Sequence, residues 1–227
     1  MNTRATISKR TILAVATAIA LIGTLVGASA LVVSKAQNDP NPFQRLNIAV
    51  IGDAYASGSN NRVVWPTLLA LRTGWSVANF ALPGAGFAAD GQGGQSGQGF
   101  TFQVDRATSA DPRIILVVAG VSDSDYAGSG YVGQGVADVV NKIQLSGIRA
   151  LVVGPTWYET PVPPEVSGVS DEIHKAADAA TVPFLDALDP PWLTPDQMQP
   201  DFSGPTDQGQ SVIADKIAAW LRTEVAG

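Results

Sequence analysis

Apolar and polar positions along residues 46–225 fall into blocks with two periods. Short apolar runs mark buried strands at Leu46 to Ile51, Trp75 to Phe80, Arg113 to Ala119, Ile148 to Val153 and Val182 to Leu185. Between them apolar residues recur at helical spacing. This predicts helices over Arg62 to Arg72, with Pro66 in the first turn, over Phe100 to Ser109, over Val132 to Leu145 and closed by Gly147, over Ser167 to Ala180, and over Gln208 to Val225. The last carries Val212, Ile213, Ile217, Trp220 and Leu221 as its apolar stripe. Strands alternating with helices imply parallel βαβ units wound into one sheet covered on both faces. Such sheets bind ligands beyond the carboxyl ends of their strands, and Asp53, Gly84 and Ser122 follow three of the predicted strands.

Two stretches carry no such period. Gly84 to Gly99 is dominated by Gly, Gln and Ala and reads as a mobile loop; it holds no lysine, so it lacks the Gly-Lys-Ser/Thr ending of a phosphate cradle. Pro161-Val162-Pro163-Pro164 reads as a surface loop, and Pro190, Pro191, Pro195 and Pro200 break up the segment before the last helix.

The N-terminus has a different character. Residues 1–10 carry Arg4, Lys9 and Arg10, and residues 11–34 contain no charge before Lys35. A run of that length is enough to cross a bilayer at about 1.5 Å per residue, and the preceding cations predict a cytoplasmic N-terminus with the following domain outside. The expectation is a single-pass membrane anchor over 11–34, a polar linker over 35–45 and a domain over 46–227. Ala28-Ser29-Ala30 offers a cleavage site, which gives the alternative of a secreted form released near Ala30. Either form places the domain outside the cytoplasm.

Length and charge narrow the function. The 227 residues hold one ordinary domain after the targeting segment. A net charge of -6 excludes a basic nucleic-acid face, and the lack of cysteine excludes disulfides, thiolate metal sites and a cysteine nucleophile. No cofactor motif is present. Asp123 and Asp125 alone are a poor metal set, so no metal is assigned, and Ser122-Asp123-Ser124-Asp125 reads as a solvated turn.

Gly52-Asp53-Ala54-Tyr55-Ala56-Ser57-Gly58 resembles the first block of the GDSL or SGNH hydrolases, Gly-Asp-Ser-x-x-x-Gly, with Ala54 at the nucleophile position. Asn79 to Gly84 is similar to the second block, whose glycine N–H helps hold the oxyanion. Gly120-Val121-Ser122-Asp123 resembles Gly-x-Asn-Asp, with Ser122 for the oxyanion asparagine. Asp201-Phe202-Ser203-Gly204-Pro205 resembles Asp-x-x-His-Pro, with Gly204 for the histidine. The resemblance covers residues 46 to 224. It implies a flavodoxin-like three-layer α/β/α fold around a five-stranded parallel sheet, and a site built from Asp53, Ala54, Gly84, Ser122, Asp201 and Gly204.

The same resemblance implies that hydrolysis is lost. A serine nucleophile needs a base to take its proton, and loss of either partner in such an enzyme costs about 10⁶ in turnover. The first expectation is therefore an extracytoplasmic, inactive family-like domain that binds an acylated or carbohydrate ligand of the cell envelope. An active esterase or acyltransferase using Ser57 or Ser122 is the second, and a partner-docking module with an empty cleft the third. The sole histidine, His174, is expected on a helix surface. Asp53 is expected to tie its loop together, with a carboxylate pair to Asp201 as the alternative.

Overall fold

The computed structural model describes residues 46–92 and 96–226. The expected membrane anchor and linker lie outside the described residues, and among those residues no helix is long and apolar enough to cross a membrane.

In chain order the elements are β1 (Asn47–Gly52), α1 (Ala54–Ser57), α2 (Trp65–Thr73), β2 (Ser76–Asn79), α3 (Phe100–Thr108) and β3 (Ile114–Val118). They continue with α4 (Tyr131–Leu145), β4 (Arg149–Val153), α5 (Pro164–Ala179), β5 (Phe184–Leu185) and α6 (Asp207–Ala226). Every strand pairing is parallel and the order is β2-β1-β3-β4-β5. The order reverses between β1 and β3, so a crevice opens at their carboxyl ends.

Both faces of the sheet are covered at β1, β3 and β4, which is why these strands read as nearly unbroken apolar runs. Ile48, Val50, Leu116 and Leu151 pack toward α2 and α6 through Trp65, Leu69, Ile213 and Ile217. Ala49, Ile51, Ile115 and Val152 pack the other way, against Phe100 and Val104 of α3, Val136 and Val140 of α4, and Val169 and Ile173 of α5. The alternation along β1 thus divides one strand between two cores.

The α5 helix starts at Pro164, three residues earlier than expected. Proline has no N–H to lose in the first helical turn, so the end of the proline run begins the helix instead of preceding it. The Gly84 to Gly99 segment also departs from expectation. Its described residues, 84–92 and 96–99, are pinned, because the Asp90 carboxylate accepts from the N–H groups of Gly97, Gln98 and Gly99, and Ala85, Phe87 and Ala89 are buried.

Two buried glutamines join elements. On α6, Gln210 accepts from Trp65 N–H at 2.8 Å and donates to the Tyr55 carbonyl at 3.0 Å. On α3, Gln103 accepts from Gly52 N–H at 2.9 Å and donates to the Gly52 carbonyl at 3.0 Å. Gln210→Leu keeps the volume but strands a buried donor and acceptor, so a loss of about 3 kcal/mol is expected in urea unfolding. A loss below about 1 kcal/mol would show that the α6 link is dispensable.

Candidate active site

Asp53 stands one residue past β1 and caps α1. Its Oδ1 accepts from Tyr55 N–H at 2.9 Å and its Oδ2 from the Ser122 hydroxyl at 3.2 Å. The carboxylate reaches Ser122 because residue 120 is glycine: a Cβ there would overlap the Asp53 carboxylate. Asp53 is 2% exposed, and burial pushes its pKa up to about 6, with the charge of Asp123 adding to the rise. Tyr55 N–H and the Ser122 hydroxyl act in the opposite direction.

That shift fixes a pH dependence. A carboxyl raised from 3.8 to about 6 carries no ionisation cost while both folded and unfolded states are protonated, below about pH 4. The cost grows as the unfolded chain ionises first, and it is complete above pH 6 at about 3 kcal/mol. Asp53→Asn keeps an oxygen for Tyr55 N–H and removes the charge. The stability of the native chain relative to this variant is expected to fall by about that amount between pH 4 and 7. Parallel curves for the two proteins would mean that Asp53 is not buried as a carboxylate.

A cleft of about 540 Å³ opens over Asp53, and Ala54, Gly84 and Ser122 line it with Asp53. The structure thus brings together four of the six residues singled out from the sequence. Gly84 adopts φ of +71°, a left-handed conformation, and a Cβ there would lie 2.6 Å from Gln92. Among the described residues nothing accepts the N–H of Ala54 or of Gly84, whereas the Gly84 carbonyl is taken by Gly91 N–H at 3.2 Å. Asn79 ties the second block to α1, donating to the Ala56 carbonyl at 2.8 Å.

Asp201 and Gly204 are not on the cleft wall, although Phe202 and Ser203 between them are. Asp201 is exposed. Hydrogen bonds from Ser203, hydroxyl first and then N–H, hold its carboxyl below the usual range. It forms no pair with Asp53. Gly204 is buried, and a Cβ on it would meet Ser59 Oγ at 3.7 Å and Tyr55 Cδ1 at 3.9 Å, both ordinary contacts.

The turn after β3 is not solvated as expected. Asp123 is 2% exposed and its carboxylate accepts from the N–H groups of Phe87, Ala88 and Ala89 at 2.8, 2.9 and 2.8 Å. It is the clamp that holds the loop from the second block against the site. Asp125, two residues on, is exposed and lines the cleft.

The remaining candidates separate clearly. His174 sits on α5 with its ring stacked on Phe184 and its Nε2 3.5 Å from Asp178. Ser57 Oγ is buried with no hydrogen-bond partner and is not on the cleft wall. Ser122 is on the wall and bonded to a carboxylate. The cleft also has an aromatic margin: Phe202, 51% exposed, stacks on Tyr158 at 5.2 Å, and Tyr126 faces the same cleft. Among the described residues, Asp53, Asp90 and Asp125 line it without any Lys, Arg or His.

A doubly covered parallel sheet with a cleft at the β1/β3 crevice, a Gly-Asp turn as its floor and a glycine loop on its wall is an open α/β domain with its site at the switch point of the sheet. No family model matches the chain. A GDSL lipase of Mycobacterium tuberculosis, Rv0518, is 30% identical over 199 residues, spanning 81% of this chain and 85% of the relative. The chain belongs to the GDSL, or SGNH, hydrolase family. Solved structures share the fold at lower identity. The psychrotrophic esterase EstA of Pseudoalteromonas sp., inhibited by monoethylphosphonate, has a TM-score of 0.63 at 16% identity, covering 80% of this chain and 100% of EstA. A carbohydrate acetylesterase family member from Sinorhizobium meliloti has a TM-score of 0.58 at 15% identity, covering 80% of this chain and 100% of that one.

Proposed function

We propose that this domain binds a neutral acylated or carbohydrate ligand of the cell envelope and has lost the hydrolysis that serine and histidine perform in its family. The observation that carries the reading is an open cleft on whose wall Ala54 presents a methyl group, while Gly204 has no side chain and the sole imidazole is engaged on α5. A proton cannot pass between a methyl and a hydrogen. Family-type turnover needs a nucleophile and a base acting as a unit.

The character of the wall supports the ligand class. Carboxylates without a cation disfavour fatty-acid anions, phosphates and uronates, while exposed Phe202 and Tyr126 offer flat apolar surface to an acyl chain or a sugar ring. A collapsed cleft would have favoured the docking-module reading; this one is open. The uncharged run at 11–34 supports a tether that keeps the domain outside the cytoplasm. Protease added to intact cells is expected to digest the domain and leave the N-terminus protected.

Calorimetric titration of the full-length protein tests the binding. Triacetin or N,N′-diacetylchitobiose is expected to bind and octanoate not to, and Ala54→Trp, which fills the cleft, is expected to weaken the neutral ligand at least about tenfold. Equal affinity for octanoate, or no heat from either neutral compound, would contradict the reading.

A further inference from the structure

Beyond non-covalent binding, and resting on that reading of the cleft, we propose that Ser122 is an acyl acceptor: its hydroxyl, held by the Asp53 carboxylate on the cleft floor, takes an acyl group from an ester seated there. Three observations converge. Ser122 and Asp53 both line the cleft and are hydrogen-bonded at 3.2 Å with the hydroxyl as donor. Asp53 is buried, so its ionised form is poorly solvated and takes up a proton more readily than an exposed aspartate. Ala54 and Gly84, whose N–H groups are unengaged among the described residues, line the same cleft, which makes these groups candidate donors to a carbonyl oxygen.

The step balances without another reagent. As Ser122 Oγ bonds to the ester carbonyl carbon, its proton passes to Asp53 Oδ2. The tetrahedral adduct then collapses, the bond from carbon to the alcohol oxygen breaks, and that oxygen recovers the proton from Asp53. The products are acyl-Ser122 and a free alcohol, with Asp53 ionised as before. Removal of the acyl group is a separate second step, attack on acyl-Ser122 by water, so acyl transfer is read as alcohol released in a burst ahead of any steady turnover.

Other hydroxyls lack one of these conditions. Ser57 Oγ has no partner to take its proton and is off the cleft wall. Ser203 is on the wall, but its carboxylate partner Asp201 is exposed and held below the usual range, a weaker base than a desolvated one. Asp123 is the charged group whose field reaches Asp53. Tyr55 on α1 is neutral through this range because burial pushes its phenol up, and among the described residues no cation lines the cleft.

The test is labelling of the full-length protein with a fluorophosphonate and with p-nitrophenyl acetate, read by peptide mass spectrometry. One label is expected, on Ser122, with a burst of p-nitrophenol near one equivalent. Ser122→Ala is expected to abolish both, and Asp53→Asn to slow labelling about 100-fold while still folding. The labelling rate of the native chain should rise through pH 6 and level off above pH 7, a profile that Asp53→Asn loses. A label on Ser57 or Ser203, no label, or equal rates in Asp53→Asn overturns the proposal. Triacetin titration of Ser122→Ala separates the two readings. Binding by this variant with no label on the native chain removes only the acyl acceptor, whereas absence of binding by either protein removes the ligand-binding reading as well.

Discussion

A full-length chain carrying Ala54→Ser, Ser122→Asn and Gly204→His together is expected to hydrolyse p-nitrophenyl acetate in steady state at least about 10³-fold faster than the unmodified chain. The scaffold for these side chains is in place. Residue 54 is the first of α1, one position past Asp53 and on the cleft wall. A Cβ at 204 meets nothing closer than 3.7 Å, and residue 204 is not in the left-handed conformation that a histidine would resist. An imidazole there starts beside Tyr55, itself on the wall, with Asp201 three residues upstream in the same loop. Because nucleophile and base act as one unit, Ala54→Ser or Gly204→His alone is expected to gain little. Steady-state rates for the three variants and the parent check this. A triple variant no faster than its parent would mean that Gly204 is not at the base position.

The second large effect is structural. Asp123→Ala is expected to lower stability by about 4 kcal/mol, because three N–H groups in the loop after the second block lose a buried carboxylate acceptor together. For a domain of this size that is a fall of roughly 10 °C in Tm. Phe87 and Ala89 are buried and their N–H groups are held by this clamp, so amide exchange at residues 87–89 should accelerate in the variant. A midpoint within about 2 °C of the parent would show that the loop is held by its apolar contacts instead.

The middle of the sheet was readable because β1, β3 and β4 are buried on both faces, which makes them near-continuous apolar runs, whereas the edge strands β2 and β5 are only partly buried; the helices were readable from their stripes. The polar groups that build the site floor were harder to see. Gln103 lies on the stripe of Phe100, Val104 and Ala107, and Gln210 on that of Ile213, Ala214 and Ile217. A glutamine at a core-facing position is a legible sign of a buried amide, although its partners, Gly52 and Trp65, lie 51 and 145 residues away. Asp123 gave no such sign. Set between serines and beside Asp125, it has the surroundings of a surface turn, and its role arises only when a loop from 34 to 36 residues earlier folds over it. The glycine-rich segment misled for the same reason, since its described residues are held by Asp90 and Asp123 and not by their own composition.

The strand ends were legible enough to place Asp53, Ala54, Gly84 and Ser122 around one cleft. The last block was less so, because Asp201 and Gly204 belong to a tight loop that turns Phe202 and Ser203, not themselves, to the cavity. The loop closes with Gln199 N–H donating to the Gly204 carbonyl at 2.8 Å, and Phe202 takes a φ of +56° within it. Backbone conformation of this kind has no periodic signature.

The most direct test is steady-state ester hydrolysis by the unmodified full-length chain, measured after any initial burst and across pH 5 to 9. A family domain without its serine and histidine should stay within about 10⁴-fold of the uncatalysed rate, whatever the pH. Turnover between about 1 and 10³ s⁻¹, the range of ordinary enzymes, would contradict the loss of hydrolysis on which this account stands.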